Sequence, residues 1–229
     1  MNGSPNPSHR FTEAELFYGQ QINNAYVRSK FLSERTVLQA IADGRIEGKV
    51  IRVGNLMSRV SDGEFQINSV TNGFLRTMRG YATVGGFPIG LMDQEQEFSP
   101  IDCVASAVLR LSGASSRFTV FHACNNHNVQ LADVIYAMRA HGFGIRIVRD
   151  DYFAHMLSEY SALHEESDAV SGLIAYASHN TQSVCYLGYE NSFTTRALYR
   201  LGWKWPIIDD AYLQSAISKL DELGFFEAE

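Results

Sequence analysis

A predicted helix followed directly by a predicted strand constrains the fold more than any other part of the chain. The pattern predicts an amphipathic helix that begins at Asn24, a favoured N-cap residue, and ends at Ala42 before Gly44. Its apolar positions share one face that should pack on a sheet: Val27, Phe31, Leu38 and Ile41. The apolar run at residues 49–53 then predicts a buried parallel strand, so we expect an α/β fold.

The helix carries a candidate catalytic pair, Tyr26 and Lys30. Residues four apart project from one helix face, so the spacing places an ammonium beside a phenol. A free phenol has a pKa of about 10, and a neighbouring cation favours its ionised form. The pair is therefore a candidate for proton transfer. With 11 tyrosines in the chain, one such spacing also arises by chance, and a surface pair without function is the alternative.

Several blocks of sequence resemble the extended short-chain dehydrogenase/reductases. They are most similar to the terminal thioester reductase domains of nonribosomal peptide synthetases and carboxylic acid reductases. The similar blocks are residues 24–31, 52–56, 62–68, 201–206 and 223–226. The resemblance implies an incomplete Rossmann-like parallel sheet, built from C-terminal strands only, with a mainly helical C-terminal substrate lobe.

The resemblance also implies roles for four residues. Tyr26 would protonate or hydrogen-bond the substrate oxyanion, and Lys30 would hold the nicotinamide ribose of NADPH, so both would also contact the cofactor. Gly54 and Asn55 follow the predicted strand and would pass the nicotinamide and the reacting carbonyl. From the residues alone, an ordinary tight turn explains Gly54 and Asn55 equally well.

A glycine-rich turn for a dinucleotide pyrophosphate is absent from the sequence. The nearest match, Gly142-Phe143-Gly144, lacks the third glycine and precedes a predicted strand. We therefore expect the C-terminal portion of a reductase domain, inactive alone because it lacks the nucleotide-binding half. The family's catalytic Ser or Thr has only poor upstream candidates in Ser4, Ser8 and Thr12. An uncovered apolar edge should cause self-association or pairing with the missing half.

The chain divides into three predicted regions. Residues 1–22 are expected to be a flexible leading segment, and residues 23–150 the C-terminal part of the reductase core with substrate-side insertions. Residues 151–229 are expected to form a helical substrate and carrier lobe. Further predicted helices are 65–80, 101–111 with Ser99 as cap, 131–141, 152–160, 192–201 and 209–223; strands are 118–123 and 145–148; residues 81–92 are expected to be a loop.

Composition excludes several classes of function. The 229 residues are 45% hydrophobic and carry a formal net charge of -6 without a basic run, so neither nucleic acid nor membrane is an expected partner. Three scattered cysteines, Cys103, Cys124 and Cys185, argue against a disulfide framework. No secretory signal or run of about 20 apolar residues is present, which predicts a cytoplasmic protein.

Three functions remain open at this point. The first is an NADPH-dependent thioester reductase that releases an acyl or peptidyl chain from a phosphopantetheinyl carrier domain as an aldehyde or alcohol. The second is another extended short-chain reductase, of the sugar-nucleotide epimerase or dehydratase type. The third is a non-catalytic half that binds a carrier or a partner chain. His122, Cys124 and His127 have metal-like spacing, but a core strand entering a polar turn is the favoured interpretation.

Overall fold

The computed structural model describes residues 10–17, 19, 22, 25–67, 69–164, 170, 173–174 and 188–227. Within these ranges the helices are α1 Ala25–Ala42, α2 Gly73–Val84, α3 Ile101–Ser112, α4 Leu131–His141, α5 Asp150–Leu163, α6 Ser192–Arg200 and α7 Asp210–Glu222. The strands are β1 Arg10–Phe11, β2 Val50–Val53, β3 Leu56–Met57, β4 Gly86–Pro88, β5 Glu95–Gln96, β6 Ser99–Pro100, β7 Val120–Ala123, β8 Val129–Gln130, β9 Arg146–Val148 and β10 Gly188–Tyr189.

Parallel strand pairs dominate the described part, and the predicted α/β class is confirmed. Strand β2 pairs in parallel with β7, with Val50 opposite Val120 and Val53 opposite Ala123. The pairs β1–β10, β3–β6 and β4–β9 are also parallel, whereas β5–β8 is antiparallel. Strand β2 is only partly covered, since its last residue, Val53, is 45% exposed.

Two hydrophobic clusters hold these elements together. The larger cluster joins α2, β4, α4 and α7, and its buried members include Tyr81, Phe87, Leu131, Met138 and Leu213. The smaller cluster joins α3, β7 and α6, with buried members that include Leu111, Phe121, Leu198 and Trp205. Helices α6 and α7 therefore share cores with elements that precede residue 150.

The glycine-containing stretch 81–92 is not the loop that its composition predicts. Residues 81–84 complete α2, residues 86–88 form β4 against β9, and residues 89–91 form a short 3-10 turn. Gly85 has φ of 69° and ends α2 in the left-handed region that glycine tolerates. The glycine that suggested a loop thus separates a helix from a buried strand.

Helix α2 begins later than predicted. Its N-cap is Asn72, whose side chain accepts a hydrogen bond from the backbone N–H of Leu75 at 3.0 Å. Ile67 and Val70, which begin the predicted apolar face, precede the helix and are exposed. The apolar pattern therefore predicts a helix start that lies too far toward the N-terminus.

Ser99 does not cap α3. Pro100 occupies the N-cap position without a side-chain hydrogen bond, while Ser99 lies buried in β6 and donates its hydroxyl hydrogen to the Glu97 carboxylate. Asp102 accepts hydrogen bonds from the backbone N–H groups of Val60 and Ser61, both at 3.2 Å. The Ser99 side chain therefore bonds Glu97 and the Asn125 N–H instead of the first turn of α3.

The segment expected to be flexible contributes to the fold from residue 10 onward. Arg10 and Phe11 pair in parallel with Gly188 and Tyr189, and the Phe11 side chain is buried. The predicted cap Asn24, the upstream serines Ser4 and Ser8, and Cys185 lie outside the described residues. None of the helices in the described ranges combines the length and the apolar character needed to cross a membrane.

Candidate active site

Helix α1 presents Tyr26 and Lys30 together on its surface. The Lys30 ammonium lies 5.3 Å from the centre of the Tyr26 ring, and the Tyr26 side chain is 69% exposed. The predicted apolar face of α1 is half-buried, and no residue of this helix is fully buried. The pair is accessible to a ligand, and its catalytic role stays a prediction.

Gly54 and Asn55 leave β2 at the carboxyl edge of the parallel pair. The Gly54 N–H donates to the Ala123 carbonyl oxygen at 3.3 Å, which extends the β2–β7 pairing by one residue. Cys124 and Asn125 leave β7 at the same edge. In open α/β sheets ligands bind outside this edge, so the position suits a binding site.

A carboxylate that the sequence analysis missed joins the two strand ends. Glu97 accepts the backbone N–H of Asn55 at 2.5 Å on one oxygen and that of Asn125 at 3.2 Å on the other. Ser99 donates a further hydrogen bond to the same carboxylate. Burial raises the pKa of Glu97 above its ordinary value, while the hydrogen bonds from Ser99, Asn55 and Asn125 oppose that rise.

The space beside Gly54 is filled by Glu97. A Cβ at residue 54 would overlap both carboxylate oxygens of Glu97. The missing side chain of Gly54 therefore makes room for this carboxylate, and cofactor contact at Gly54 stays a prediction. A cavity of about 410 Å³ opens beside the turn. Its lining includes Gly54, Asn55, Gln66, Asn72, Phe74 and Glu97.

His122 is buried behind the strand end and uses both ring nitrogens. Its Nε2 lies 2.7 Å from Nη1 of Arg52, and its Nδ1 lies 2.9 Å from the Glu190 carbonyl oxygen. Since the guanidinium has only donors, Nε2 is the acceptor and Nδ1 carries the hydrogen. Cys124, the second member of the metal-like spacing, has a pKa raised by burial. Among the described residues, no three His, Cys, Asp or Glu side chains are arranged to hold a metal ion.

Comparisons with known proteins identify the fold. An NAD-binding family described as male sterility protein matches residues 3–108. No curated protein matches the chain. The thiolation-reductase di-domain of an archaeal non-ribosomal peptide synthetase is 35% identical, over 96% of this chain and 45% of its own, with a TM-score of 0.83. The resemblance to the C-terminal part of such a reductase domain is confirmed.

Two further structures share the fold of this reductase-like chain. The terminal R domain from the myxalamid PKS-NRPS pathway is 23% identical, over 96% of this chain and 56% of its own, with a TM-score of 0.79. RMD from Pseudomonas aeruginosa, solved in complex with NADPH, is 16% identical, over 96% of this chain and 64% of its own, with a TM-score of 0.54. The reductase-like chain thus spans 45% to 64% of the length of these three chains.

We expect Gly54→Ala to destabilise the reductase-like chain because the added methyl group overlaps the Glu97 carboxylate. Overpacking of this kind lowers the free energy of unfolding by about 1–3 kcal/mol, which urea denaturation measures. Gly113→Ala is the matched control, since a Cβ there meets only the Arg110 carbonyl oxygen at 3.6 Å. Adding Glu97→Ala to Gly54→Ala should restore part of the lost stability. If Gly54→Ala and Gly113→Ala were equally stable, the explanation would be contradicted.

We expect His122 to make stability depend on pH. Burial lowers the pKa of His122 most, and the charge of Arg52 adds to this decrease. The hydrogen bond to the Glu190 carbonyl oxygen opposes it, as do the nearby carboxylates of Glu13 and Glu34. The unfolded chain therefore binds the proton more readily. The contribution of neutral His122 is complete above about pH 6.5, the unfolded value, and decreases as pH falls from there toward the lower folded value.

Urea denaturation across this pH range measures the effect of His122. His122→Gln should flatten the decrease in the free energy of unfolding below about pH 6.5. His155→Gln, at an exposed histidine on α5, should leave the pH dependence unchanged. If His122→Gln showed the same pH dependence as wild type, His122 would not be its cause.

Proposed function

We propose that the chain is the C-terminal portion of an NADPH-dependent thioester reductase. The enzyme would release an acyl or peptidyl thioester from a phosphopantetheinyl carrier domain as an aldehyde or an alcohol. The observation that carries this proposal is the similarity to the archaeal di-domain, which is 35% identical over 96% of this chain. That structure contains a thiolation domain beside its reductase domain, which supports a carrier as partner. A cytoplasmic location is part of the proposal.

We propose that the described residues hold the nicotinamide end of a cofactor. The NAD-binding family match and the NADPH complex of RMD support a nicotinamide, and the choice of NADPH is our proposal. Tyr26 and Lys30 supply an accessible hydroxyl and ammonium for the nicotinamide ribose, with Gly54 and Asn55 at the strand end. The sequence has no glycine-rich turn for the pyrophosphate, so we propose that the isolated chain binds NADPH weakly or not at all.

A bound cofactor of this class supplies a hydride to the thioester carbonyl carbon. Tyr26 would then donate its hydroxyl proton to the carbonyl oxygen as that oxygen gains negative charge. The Lys30 ammonium beside the ring would stabilise the phenolate that remains. Loss of the hydroxyl proton and cleavage of the carbon–sulfur bond would then leave an aldehyde, with that proton passing to the sulfur of the released carrier thiol. Tyr26 would regain its proton from solvent, and reduction of the aldehyde by a second NADPH would give the alcohol.

Other extended short-chain reductases form the second candidate class. RMD shares the fold, but its identity and TM-score are both lower than those of the archaeal di-domain. The 35% identity to the archaeal di-domain supports the thioester reductase over an enzyme of the epimerase or dehydratase type. A non-catalytic half that binds a carrier or a partner chain is the third candidate.

The uncovered surface around α1 supports a partner that completes the domain. Tyr26, Val37 and Val53 are exposed there, α1 has no buried residue, and in the described ranges β2 pairs with β7 alone. Parallel sheets in α/β proteins are normally covered on both faces. We propose that this surface binds a nucleotide-binding half of a reductase domain, and that without it the chain self-associates.

Sedimentation velocity of the isolated chain tests whether this surface binds a second protein chain. We expect oligomers that grow with protein concentration, because exposed apolar surface favours association. Addition of the nucleotide-binding half of a related reductase should convert them into a one-to-one complex. If the chain stays a monodisperse monomer at high concentration and does not bind the added half, this partner is refuted.

Tyr26→Phe tests the reaction in the chain combined with that nucleotide-binding half. With carrier-bound thioester and NADPH, we expect loss of the reduced-cofactor absorbance and an aldehyde product. Removal of the hydroxyl should lower turnover at least about 100-fold, as for loss of a general acid, with unchanged thermal unfolding. Tyr199→Phe is the matched control, since Tyr199 of α6 is also exposed and Lys204 lies 5.2 Å from the centre of its ring.

The other results of this assay separate the candidate functions. Full turnover by Tyr26→Phe would remove Tyr26 from its catalytic role. Turnover with sugar nucleotides and none with the thioester would favour the second candidate. An inert complex that still binds the carrier would favour the non-catalytic half.

A further inference from the structure

Helix α1 is attached to the sheet through a charged contact. The helix has no fully buried residue, and Val27, Phe31, Leu38 and Ile41 are only half-buried. Glu34 lies one turn beyond Lys30 and two turns beyond Tyr26, on the same side of the helix. Its side chain is 19% exposed and forms an ion pair with Arg52 of β2, whose side chain is 11% exposed.

Arg52 uses all five of its N–H donors. Nε and Nη2 donate to one Glu34 carboxylate oxygen at 3.0 and 2.6 Å. Nη2 also donates to the Glu15 carbonyl oxygen at 2.7 Å, and Nη1 donates to the Thr12 carbonyl oxygen at 3.3 Å and to His122 Nε2 at 2.7 Å. A lysine at this position has three donors on one nitrogen and cannot reproduce this set.

Aromatic rings complete the surroundings of the guanidinium. The guanidinium carbon lies 4.5 Å from the centre of the Phe11 ring, and that ring stacks on His122 with their centres 5.3 Å apart. We call Arg52, Glu34, His122 and Phe11 the Arg52 cluster. The cluster connects α1 to β1, β2 and β7, and Arg52 is two residues before Gly54.

We propose that Arg52 and Glu34 are positioning residues for the active site. Their ion pair holds the Tyr26 and Lys30 side of α1 at a fixed place relative to the strand end at Gly54 and Asn55. The role at the active site rests on the proposed reductase function, whereas the attachment of α1 does not. The pair acts through α1 and touches neither substrate nor cofactor.

The physical reason is that the apolar contacts of α1 are incomplete. A helix of this length is marginal in water without tertiary contacts. Glu34 and Arg52 are each largely removed from water, so removal of one partner leaves the other charge without compensation. Loss of the pair should therefore release α1 before the rest of the chain, whose two cores contain no residue of α1.

Two measurements on the isolated chain test the attachment. Hydrogen exchange reports protection of the α1 amides separately from those of α4, which lies in the larger core. Methyl NMR after reductive lysine methylation resolves four lysines, Lys30, Lys49, Lys204 and Lys219. Lys30 and Lys204 both lie over tyrosine rings, at 5.3 and 5.2 Å, so both signals should carry ring-current shifts.

Glu34→Gln keeps the shape of the side chain and removes its charge. We expect protection of the α1 amides to fall at least about tenfold, with α4 unchanged, as local opening predicts. The Lys30 signal should move toward that of a lysine with no neighbouring ring, whereas the Lys204 signal should stay. Arg52→Lys should give the same pattern. Glu159→Gln, which removes a carboxylate 67% exposed and paired with His155, is the matched control and should change none of these signals.

Catalysis in the combined reductase completes the test. Glu34→Gln should lower kcat at least about tenfold while KM for NADPH changes less, and it should add nothing to Tyr26→Phe. Unchanged α1 protection and an unchanged Lys30 signal in Glu34→Gln, or equal loss of protection in α1 and α4, would overturn the proposal. If wild type is inert but α1 protection falls as expected, the proposed function fails and the attachment stands.

Discussion

Parallel pairing of β2 with β7 is the constraint on which the rest of the structure depends. The register places Arg52 opposite His122, and both strands end at a common carboxyl edge. Asn55 and Asn125 then present their backbone N–H groups on the same side, where Glu97 accepts both. Without this register neither the Arg52 cluster nor the strand-end turn would form.

The interior near the candidate site contains charge as well as apolar side chains. Glu97 and Glu34 are both carboxylates removed from much of the solvent, and each is surrounded by donors: backbone N–H groups and a hydroxyl for Glu97, a guanidinium for Glu34. Desolvation opposes such arrangements unless the hydrogen bonds are nearly complete. Complete bonding fixes positions sharply, which suits a site where a proton donor must meet a carbonyl oxygen.

The two sides of the β2–β7 pair differ in how completely they are covered. On the side of β7, the smaller hydrophobic cluster covers the sheet with α3 and α6. On the side of α1, coverage is incomplete and the candidate catalytic pair is exposed. An active site formed where two bodies meet would have this asymmetry, because the cofactor needs access that a closed core prevents.

Local sequence determined the elements whose causes are local. Helix α4 has the predicted bounds because its apolar period ends at Gly142, where φ is 124°, and α1 ends before Gly44 for the same reason. The i, i+4 spacing likewise brought Lys30 onto the Tyr26 ring. Glu34 continues that spacing, and Arg52 is a charged residue within an apolar strand. Both features were visible in the sequence and indicate a charged contact between the helix and the strand.

Tertiary structure alone decided the contacts between distant parts of the chain. Glu97 reaches Asn55 from 42 residues away and Arg52 meets His122 across 70, and no local period encodes such pairings. Ser99 was predicted wrongly because its strand pairs with β3 and its hydroxyl accepts the distant Asn125 N–H. Residues 81–92 were predicted wrongly because β4 pairs with the distant strand β9. The sequence by itself specified the helix and its Tyr–Lys pair. The fold decided which charges hold that helix, because burial and register exist only after the strands have paired.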